Sequence, residues 1–234
     1  MKFFKVSESD HSLNIDFFVP GAANALSLEA ARELKAIIKT HLKLKKPVIV
    51  ESRHPRVFCS GGNLSDYKKQ KGKAPGLKAN REITAVLNEF GKWPVPKLAL
   101  IEGDVLGGGL EWLARFDFRW SSPNAYFVFW QKRIGLSSGW GGGRAWSEKI
   151  GEDKVRRLLM ESRTLSASAA RGAGLVDRVV CGWRLHEEAK RWSEHMASET
   201  TLKLGKWSAA RENLLFNSLW MAPAHAKTLR AWRS

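Results

Sequence analysis

The chain has 234 residues, of which 44% are hydrophobic and 26% are charged, and its formal net charge at pH 7 is +16. This length and apolar content predict one domain with a sizeable core and exclude an intrinsically disordered chain. The basic charge leaves the fold open but predicts attraction to anions, such as phosphate-bearing ligands, nucleic acid or acidic surfaces.

The cysteine and histidine content argues against a metal site. Two cysteines, Cys59 and Cys181, are too few for a disulfide-rich scaffold or a four-cysteine zinc site, and the six histidines lack ligand spacing. The opening MKFFKVSESD is not typical of a signal peptide, and no apolar run approaches the ~20 residues of a membrane span. We therefore expect a soluble, cytoplasmic protein without a metal.

The first half of the chain alternates strand-like and helix-like segments. A strand is predicted over 13–19, a helix over 28–42 behind the N-cap Ser27, and a strand over 48–52. The basic stretch 66–82, punctuated by glycine and proline, predicts a mobile loop, and a short helix is expected over 82–91.

The second half repeats this alternation around glycine-rich turns. The predicted elements are a strand over 97–102, a helix over 110–117, a strand over 118–120, a helix over 147–162, and a short helix and strand within 166–180, with a basic helical region from 185 onward. Gly174 is the predicted stop of the short helix. Short strands alternating with helices indicate an α/β fold.

Two glycine turns have the same context. Residues 57–64 (VFCSGGNL) and 101–112 (IEGDVLGGGLEW) both lead from a strand to a helix start. Neither has the lysine of a nucleotide-hydrolase loop or the spacing of a dinucleotide fingerprint. Glycine allows an N–H to approach a ligand, and two N–H groups that converge at helix starts would form an oxyanion hole. Glu111 would project from the same first turn as Gly108. Tight turns without a ligand remain the alternative.

Four segments together resemble the crotonase (enoyl-CoA hydratase/isomerase) superfamily. The matching residues are 58–64 (FCSGGNL), 103–111 (GDVLGGGLE), Phe127 with 135–142 (GLSSGWGG), and 170–180 (ARGAGLVDRVV). The resemblance implies an α/β spiral of repeated ββα units with a C-terminal helical region. It assigns the CoA site to 1–180 and oligomerisation to 181–234, as a homotrimer or a dimer of trimers.

The resemblance also implies site residues and a ligand. The ligand is an acyl-CoA thioester, and no separate cofactor is expected because coenzyme A is part of the substrate. The Gly62 and Gly108 N–H groups would hold the thioester oxygen, and Glu111 would be catalytic. The predicted substrate-binding residues are Asn24, Ala25, Leu26, Ser60, Gly61, Trp130 and Gln131.

One position departs from the family pattern. Family hydratases use two glutamates, and the second falls at Gln131, whose amide does not titrate near neutral pH. This departure, and the resemblance of 116–142 to the malonyl-type-CoA decarboxylase branch, favour decarboxylation of a short malonyl-type CoA over hydration. Phe129 and Trp130 would form a dry wall, and Gln131 would hydrogen-bond the departing carboxylate or the thioester. The alternative is that all three side chains simply pack.

Two other functions remain open at the level of sequence. One is an enoyl-CoA hydratase/isomerase proper, since Glu111 is present. The other is a catalytically weak CoA- or RNA-binding module, for which the +16 charge and eleven tryptophans would supply phosphate contacts and base stacking. Most aromatic residues fall at predicted core positions, which favours the enzyme over the RNA-binding module.

Overall fold

The structure is a computed structural model that describes residues 1–21, 23–69 and 72–198. The strands are β1 Phe4–Glu8, β2 Leu13–Phe17, β3 Val48–Ser52, β4 Val57–Cys59, β5 Lys97–Ile101, β6 Asp104–Leu106, β7 Phe118–Ser121, β8 Tyr126–Val128, β9 Leu165–Ser166 and β10 Arg178–Val179. The helices are α1 Leu28–Thr40, α2 Leu64–Lys69, α3 Lys73–Lys92, α4 Gly108–Leu113, α5 Gly142–Ile150, α6 Glu152–Glu161, α7 Ala167–Ala173 and α8 Gly182–Ser198, with a 3₁₀ helix at Trp130–Ile134.

The strands form two sheets that the chain visits alternately. The larger has the order β1-β2-β3-β5-β7-β10 and the smaller the order β4-β6-β8-β9. Each of the pairs β3/β4, β5/β6 and β7/β8 places its first strand in the larger sheet and its second in the smaller, and a helical segment follows each pair. This repetition is the ββα spiral that the resemblance predicted, so the predicted fold class is confirmed.

Aromatic rings around Trp112 hold α4 in the middle of the core. The Trp112 ring is fully buried and lies 5.3 Å from Phe17, 5.7 Å from Phe116 and 6.1 Å from both Phe58 and Phe90, measured between ring centroids. Each such pair adds about 0.5–1.5 kcal/mol beyond the area it buries. Because Trp112 directly follows Glu111, this packing fixes the turn of α4 that carries the predicted catalytic carboxylate.

The predicted loop over 66–82 is wrong. α2 continues to Lys69, and α3 begins at Lys73 with Pro75 in its first turn, where a proline costs no helical hydrogen bond. α3 packs along α1 and buries Ala79, Ile83, Val86, Leu87 and Phe90. Tertiary packing of this apolar face outweighs the local glycine and proline signals.

Other element predictions hold with shifted ends. Ser27 caps α1 by accepting a hydrogen bond from the Ala30 N–H, as predicted. Gly174 ends α7 in the left-handed conformation, also as predicted. The helix expected over 147–162 is instead two helices, because Gly151 with φ +89° separates α5 from α6.

α8 covers the outer face of the larger sheet. Leu185 and Ala189 pack against Ile49, Leu98 and Leu100 in a second apolar cluster. The predicted division at residue 180 stays a prediction, because residues 199–234, including the C-terminal basic residues, lie outside the described part of the chain. Within the described ranges, no helix is long and apolar enough to cross a bilayer.

Candidate active site

The segment around Asn24 links the first glycine turn to the core. Asn24 is fully buried, and its amide nitrogen donates to the Phe17 and Phe58 carbonyls at 3.1 and 3.0 Å. The Leu26 N–H donates to the Gly61 carbonyl at 2.7 Å. Asn24 and Leu26 therefore hold the glycine turn in place, and the predicted contact of Asn24, Ala25 and Leu26 with CoA stays a prediction.

The two glycine turns touch one another. Gly61 has φ +96°, and a Cβ on it would lie 2.7 Å from the Gly108 nitrogen. A Cβ on Gly109 would lie 2.4 Å from the Cys59 carbonyl oxygen. Real Cβ atoms do not approach so closely, so the contact between the turns requires glycine at both positions. The tertiary structure thus brings Gly61, the residue before Gly62, against Gly108, and the oxyanion hole at Gly62 and Gly108 stays a prediction.

The backbone donors at this place are available to a ligand. Gly62 and Gly108 are both half-buried. No hydrogen bond joins the N–H of either glycine to another residue in the described part of the chain. Two partly buried N–H groups without acceptors are what an oxyanion site needs, since an unsatisfied donor gains most from a charged acceptor.

The Glu111 carboxylate accepts four hydrogen bonds. Oε1 accepts from the Gln131 side chain and the Gly139 N–H, both at 3.1 Å, while Oε2 accepts from the Trp140 and Gly142 N–H groups at 2.8 and 2.9 Å. Glu111 is only 2% exposed. These contacts stabilise the ionised carboxylate and tie the 139–142 turn to α4.

The Gln131 amide nitrogen has a hydrogen-bond partner, and the amide oxygen has none among the described residues. Its nitrogen donates to Glu111, which fixes the orientation of the amide, because an ionised carboxylate only accepts. Its oxygen is buried and has no hydrogen-bond partner among the described residues. Next to it, Trp130 is 40% exposed, and its Cβ lies 3.6 Å from the Cβ position of Gly107. Both predicted residues thus lie at the glycine turns.

Two rings that the sequence did not single out as a group cover the two glycines, and Asn80 joins the rings. A Cβ on Gly62 would lie 2.8 Å from the Tyr67 ring, and one on Gly108 would lie 2.5 Å from the Trp140 ring. The Tyr67 hydroxyl and the Trp140 indole N–H both donate to Asn80 Oδ1 at 2.8 Å. Burial raises the pKa of the Tyr67 phenol, so the hydroxyl keeps the proton that it shares with Asn80. Tyr67 and Asn80 were missed because they lie in the segment interpreted as a loop.

Other reactive side chains in the region are accounted for. Burial raises the pKa of the Cys59 thiol to about 12, which excludes a thiolate nucleophile at neutral pH. His54 accepts hydrogen bonds from the Arg56 and Val57 N–H groups and stabilises a turn. Among the described residues, no group of three or more His, Cys, Asp or Glu side chains could hold a metal ion.

Comparison with known proteins identifies the family. The profile of the enoyl-CoA hydratase/isomerase family matches residues 9–213, which is most of the chain. The chain belongs to this family. The solved enoyl-CoA hydratase from Bacillus anthracis has the same fold, with a TM-score of 0.87 and 23% identity over 97% of this chain and 95% of that one.

Curated members of the family show partial sequence similarity. The mitochondrial methylglutaconyl-CoA hydratase of Homo sapiens is 30% identical over 160 residues, which are 67% of this chain and 47% of that protein. The ethylmalonyl-CoA decarboxylase of Danio rerio is 33% identical over 135 residues, which are 58% of this chain and 44% of that protein. The chain spans about half the length of these two curated relatives.

Two basic residues beside the site of this family member have structural partners. The Lys132 ammonium donates to the Met160 carbonyl at 2.6 Å, and the Arg133 guanidinium donates to the Ser162 carbonyl at 2.6 Å. The Arg133 guanidinium also stacks on the Trp130 ring, 4.5 Å from its centroid. Both cations therefore hold the 3₁₀ helix to the end of α6.

Most of the described tryptophans are in the core, as predicted. Trp93, Trp112, Trp120, Trp140 and Trp146 are each at most 4% exposed. Trp183 is 80% exposed and Trp130 is 40% exposed, and these two rings are the described tryptophans most open to stacking with a nucleic-acid base.

Proposed function

We propose that this chain is an acyl-CoA enzyme that decarboxylates a short malonyl-type CoA thioester. The observation that carries the proposal is the set of four hydrogen bonds to Glu111. A carboxylate has about four lone-pair sites, so all of them are in use. Hydration needs a carboxylate that takes a proton from water. Decarboxylation starts without a base, because the substrate's own carboxylate leaves.

The glycine turns would supply the stabilisation that this reaction needs. The thioester oxygen would accept from the Gly62 and Gly108 N–H groups, and the C–C bond to the carboxylate would break to release carbon dioxide. The electron pair of that bond would pass into an enolate whose oxygen is held by the two donors. One such donor contributes on the order of 2.7–4 kcal/mol to a transition state of this type. The α-carbon then takes up one proton, so the substrate and a proton yield carbon dioxide and a shorter acyl thioester.

The remaining site residues would position the reacting groups. Glu111 would act as a positioning residue, because it holds the 139–142 turn, and with it Trp140, against Gly108. The second N–H of the Gln131 amide would donate to the departing carboxylate or the thioester next to the exposed face of Trp130, since the open amide oxygen can only accept. The similarity to the Danio rerio ethylmalonyl-CoA decarboxylase supports this assignment.

Hydration of an enoyl-CoA is the second candidate. It is favoured by the similarity to the human methylglutaconyl-CoA hydratase and by the presence of Glu111 at the first glutamate position. In that reaction Glu111 would first have to release one of its four donors. The homotrimer or dimer of trimers is likewise a proposal from the family resemblance, and sedimentation of the full chain tests it.

Turnover of two kinds of substrate, malonyl-type and enoyl-type thioesters, separates the candidates. We expect the wild-type protein to convert methylmalonyl- or ethylmalonyl-CoA to the shorter acyl-CoA with release of carbon dioxide, and to leave crotonyl-CoA unchanged. Gln131→Glu should lower decarboxylation, because its added negative charge repels the substrate carboxylate. Rapid hydration of crotonyl-CoA by the wild type, without any decarboxylation, would overturn the proposal. A gain of hydration in Gln131→Glu would show that the fold needs only the second carboxylate.

A further inference from the structure

The rings of Tyr67 and Trp140 form a wall beside the two candidate N–H donors. The ring atoms lie within 2.8 and 2.5 Å of where the Cβ atoms of Gly62 and Gly108 would be. Glycine at these positions therefore leaves just enough room for the rings. A carbonyl group held between the two glycines would have both rings within van der Waals reach of the chain attached to it.

Asn80 fixes the distance between the two rings. Its oxygen accepts from the Tyr67 hydroxyl and from the Trp140 indole, while its nitrogen donates to the Gly76 carbonyl at 2.9 Å. A flipped amide would place its NH₂ group against two donors, so the hydrogen bonds specify its orientation. Because both ring donors are committed to Asn80, the wall presents apolar ring edges to the space beside the glycines.

The two halves of the wall differ in how firmly they are held. Trp140 is 3% exposed. Its backbone N–H donates to Glu111, and its backbone carbonyl accepts from the Arg115 guanidinium at 3.2 Å. Tyr67 lies on α2, a six-residue helix without a fully buried residue, and is itself half-buried. Tyr67 is therefore held by its contact with Gly62 and by the bond to Asn80, and its replacement removes the wall without opening the core.

We propose that Tyr67 and Trp140, bridged by Asn80, limit the acyl group to short chains and that Tyr67 is the specificity-determining residue. This inference rests on the proposed acyl-CoA function. An acyl group no longer than about butyryl would fit against the ring edges, whereas a longer chain would have to displace a ring and break a hydrogen bond to Asn80. The apolar edges also suit the alkyl substituent of a malonyl-type thioester better than a second charged group.

Binding of saturated acyl-CoA thioesters tests the wall without requiring turnover. Calorimetry with acetyl-, butyryl-, hexanoyl- and octanoyl-CoA gives a profile of affinity against chain length. The wild type should bind hexanoyl- and octanoyl-CoA at least about tenfold more weakly than butyryl-CoA. Tyr67→Ala should recover the octanoyl-CoA affinity at least about tenfold and leave acetyl-CoA within about threefold. Tyr67→Phe, which keeps the ring and loses the bond to Asn80, should shift the profile less. Tyr126→Ala, which removes the other tyrosine of the chain, is the matched control and should not shift it.

The outcomes separate this inference from the proposed function. A shifted chain-length profile in Tyr67→Ala, together with no decarboxylation by the wild type, would support the wall and refute the reaction. An unchanged profile in a Tyr67→Ala protein that keeps the wild-type circular dichroism and melting behaviour would overturn the wall. Absence of binding of every thioester to the wild type would overturn both.

Discussion

The side-chain nitrogen of Gln131 donates a hydrogen bond to the Glu111 carboxylate at 3.1 Å inside a buried site. The contact explains why a neutral amide suits position 131 in this chain. A donor there stabilises the buried carboxylate, whereas a second carboxylate at the same distance would repel it. Gln131, which replaces the second glutamate of the family hydratases, thus also stabilises the folded chain through this hydrogen bond.

Gln131→Glu should therefore destabilise the protein in a pH-dependent way. We expect the free energy of unfolding to fall by about 2–4 kcal/mol at pH 7.5, because two buried carboxylates would face each other without a proton. The loss should shrink at pH 5, where one carboxyl of the pair can bind a proton. Gln131→Met, which removes the donor without adding charge, should cost about 1 kcal/mol at both pH values. Urea unfolding measures the free energy of unfolding of both variants. Equal losses for the two variants at pH 7.5 would contradict repulsion between the carboxylates.

Removing the charge of Glu111 should cost stability as well. Glu111→Gln keeps the shape of the side chain but places an NH₂ group against backbone donors, which leaves some of those N–H groups unpaired. Each buried unpaired group costs about 1–3 kcal/mol, so we expect a melting temperature lower by roughly 5–15 °C. The control is Glu187→Gln, which breaks an exposed pair with Arg191 and should change stability by under about 0.5 kcal/mol. Thermal unfolding followed by circular dichroism distinguishes the two, and a wild-type melting temperature for Glu111→Gln would refute the anchoring role.

Gly61→Ala should disrupt the contact between the two glycine turns. The added methyl would lie 2.7 Å from the Gly108 nitrogen on a residue with φ +96°, so strain and a clash with the backbone combine. We expect a loss of about 2–4 kcal/mol and loss of thioester binding. Gly172→Ala is the matched control, because an added methyl in α7 would meet nothing within 4 Å and should stabilise the helix by about 0.5–1 kcal/mol. Equal stabilities for the two variants would show that the turns tolerate a side chain.

The pair of His186 and Glu51 should make stability depend on pH. The imidazole lies 2.9 Å from the Glu51 carboxylate, and this hydrogen bond raises the pKa of His186 and lowers that of Glu51. A raised histidine pKa gives stability that is complete below the unfolded value near 6.5 and is lost as pH rises through the folded value. The lowered pKa of Glu51 gives stability that is present above its unfolded value and is lost as pH falls through the folded value.

The expected profile is a maximum of the pair's contribution between about pH 4.5 and 6.5. Asp16 acts against Glu51 on the acid side, because burial and the neighbouring Glu51 raise the pKa of Asp16, so its contribution is present below the unfolded value and is lost as pH rises through the folded value. Comparing urea midpoints of the wild type and His186→Gln from pH 5 to 8.5 measures the effect. The difference should shrink above pH 7, and a constant difference would show that the imidazole only packs.

Local signals predicted the elements whose stability is local. Ser27 and Gly174 were identified correctly as the ends of helices, because capping hydrogen bonds and left-handed glycines depend on neighbouring residues. α3 was missed over its first turns, because what stabilises it there is burial of Ala79 and continuation of the helix that buries the rest of its apolar face. The glycine motifs and their order in the sequence predicted the fold and the family. The departure at Gln131 was likewise visible in the sequence.

The arrangement of the site was decided by the tertiary structure. By itself the sequence determined that two glycine turns precede helices, that Glu111 follows one of them and that an amide replaces the second glutamate. Only the folded chain placed Gly61 against Gly108, surrounded Glu111 with four donors and joined Tyr67 to Trp140 through Asn80. The physical reason is that hydrogen bonds between residues 13 to 60 positions apart depend on how the ββα turns stack, which no local pattern encodes.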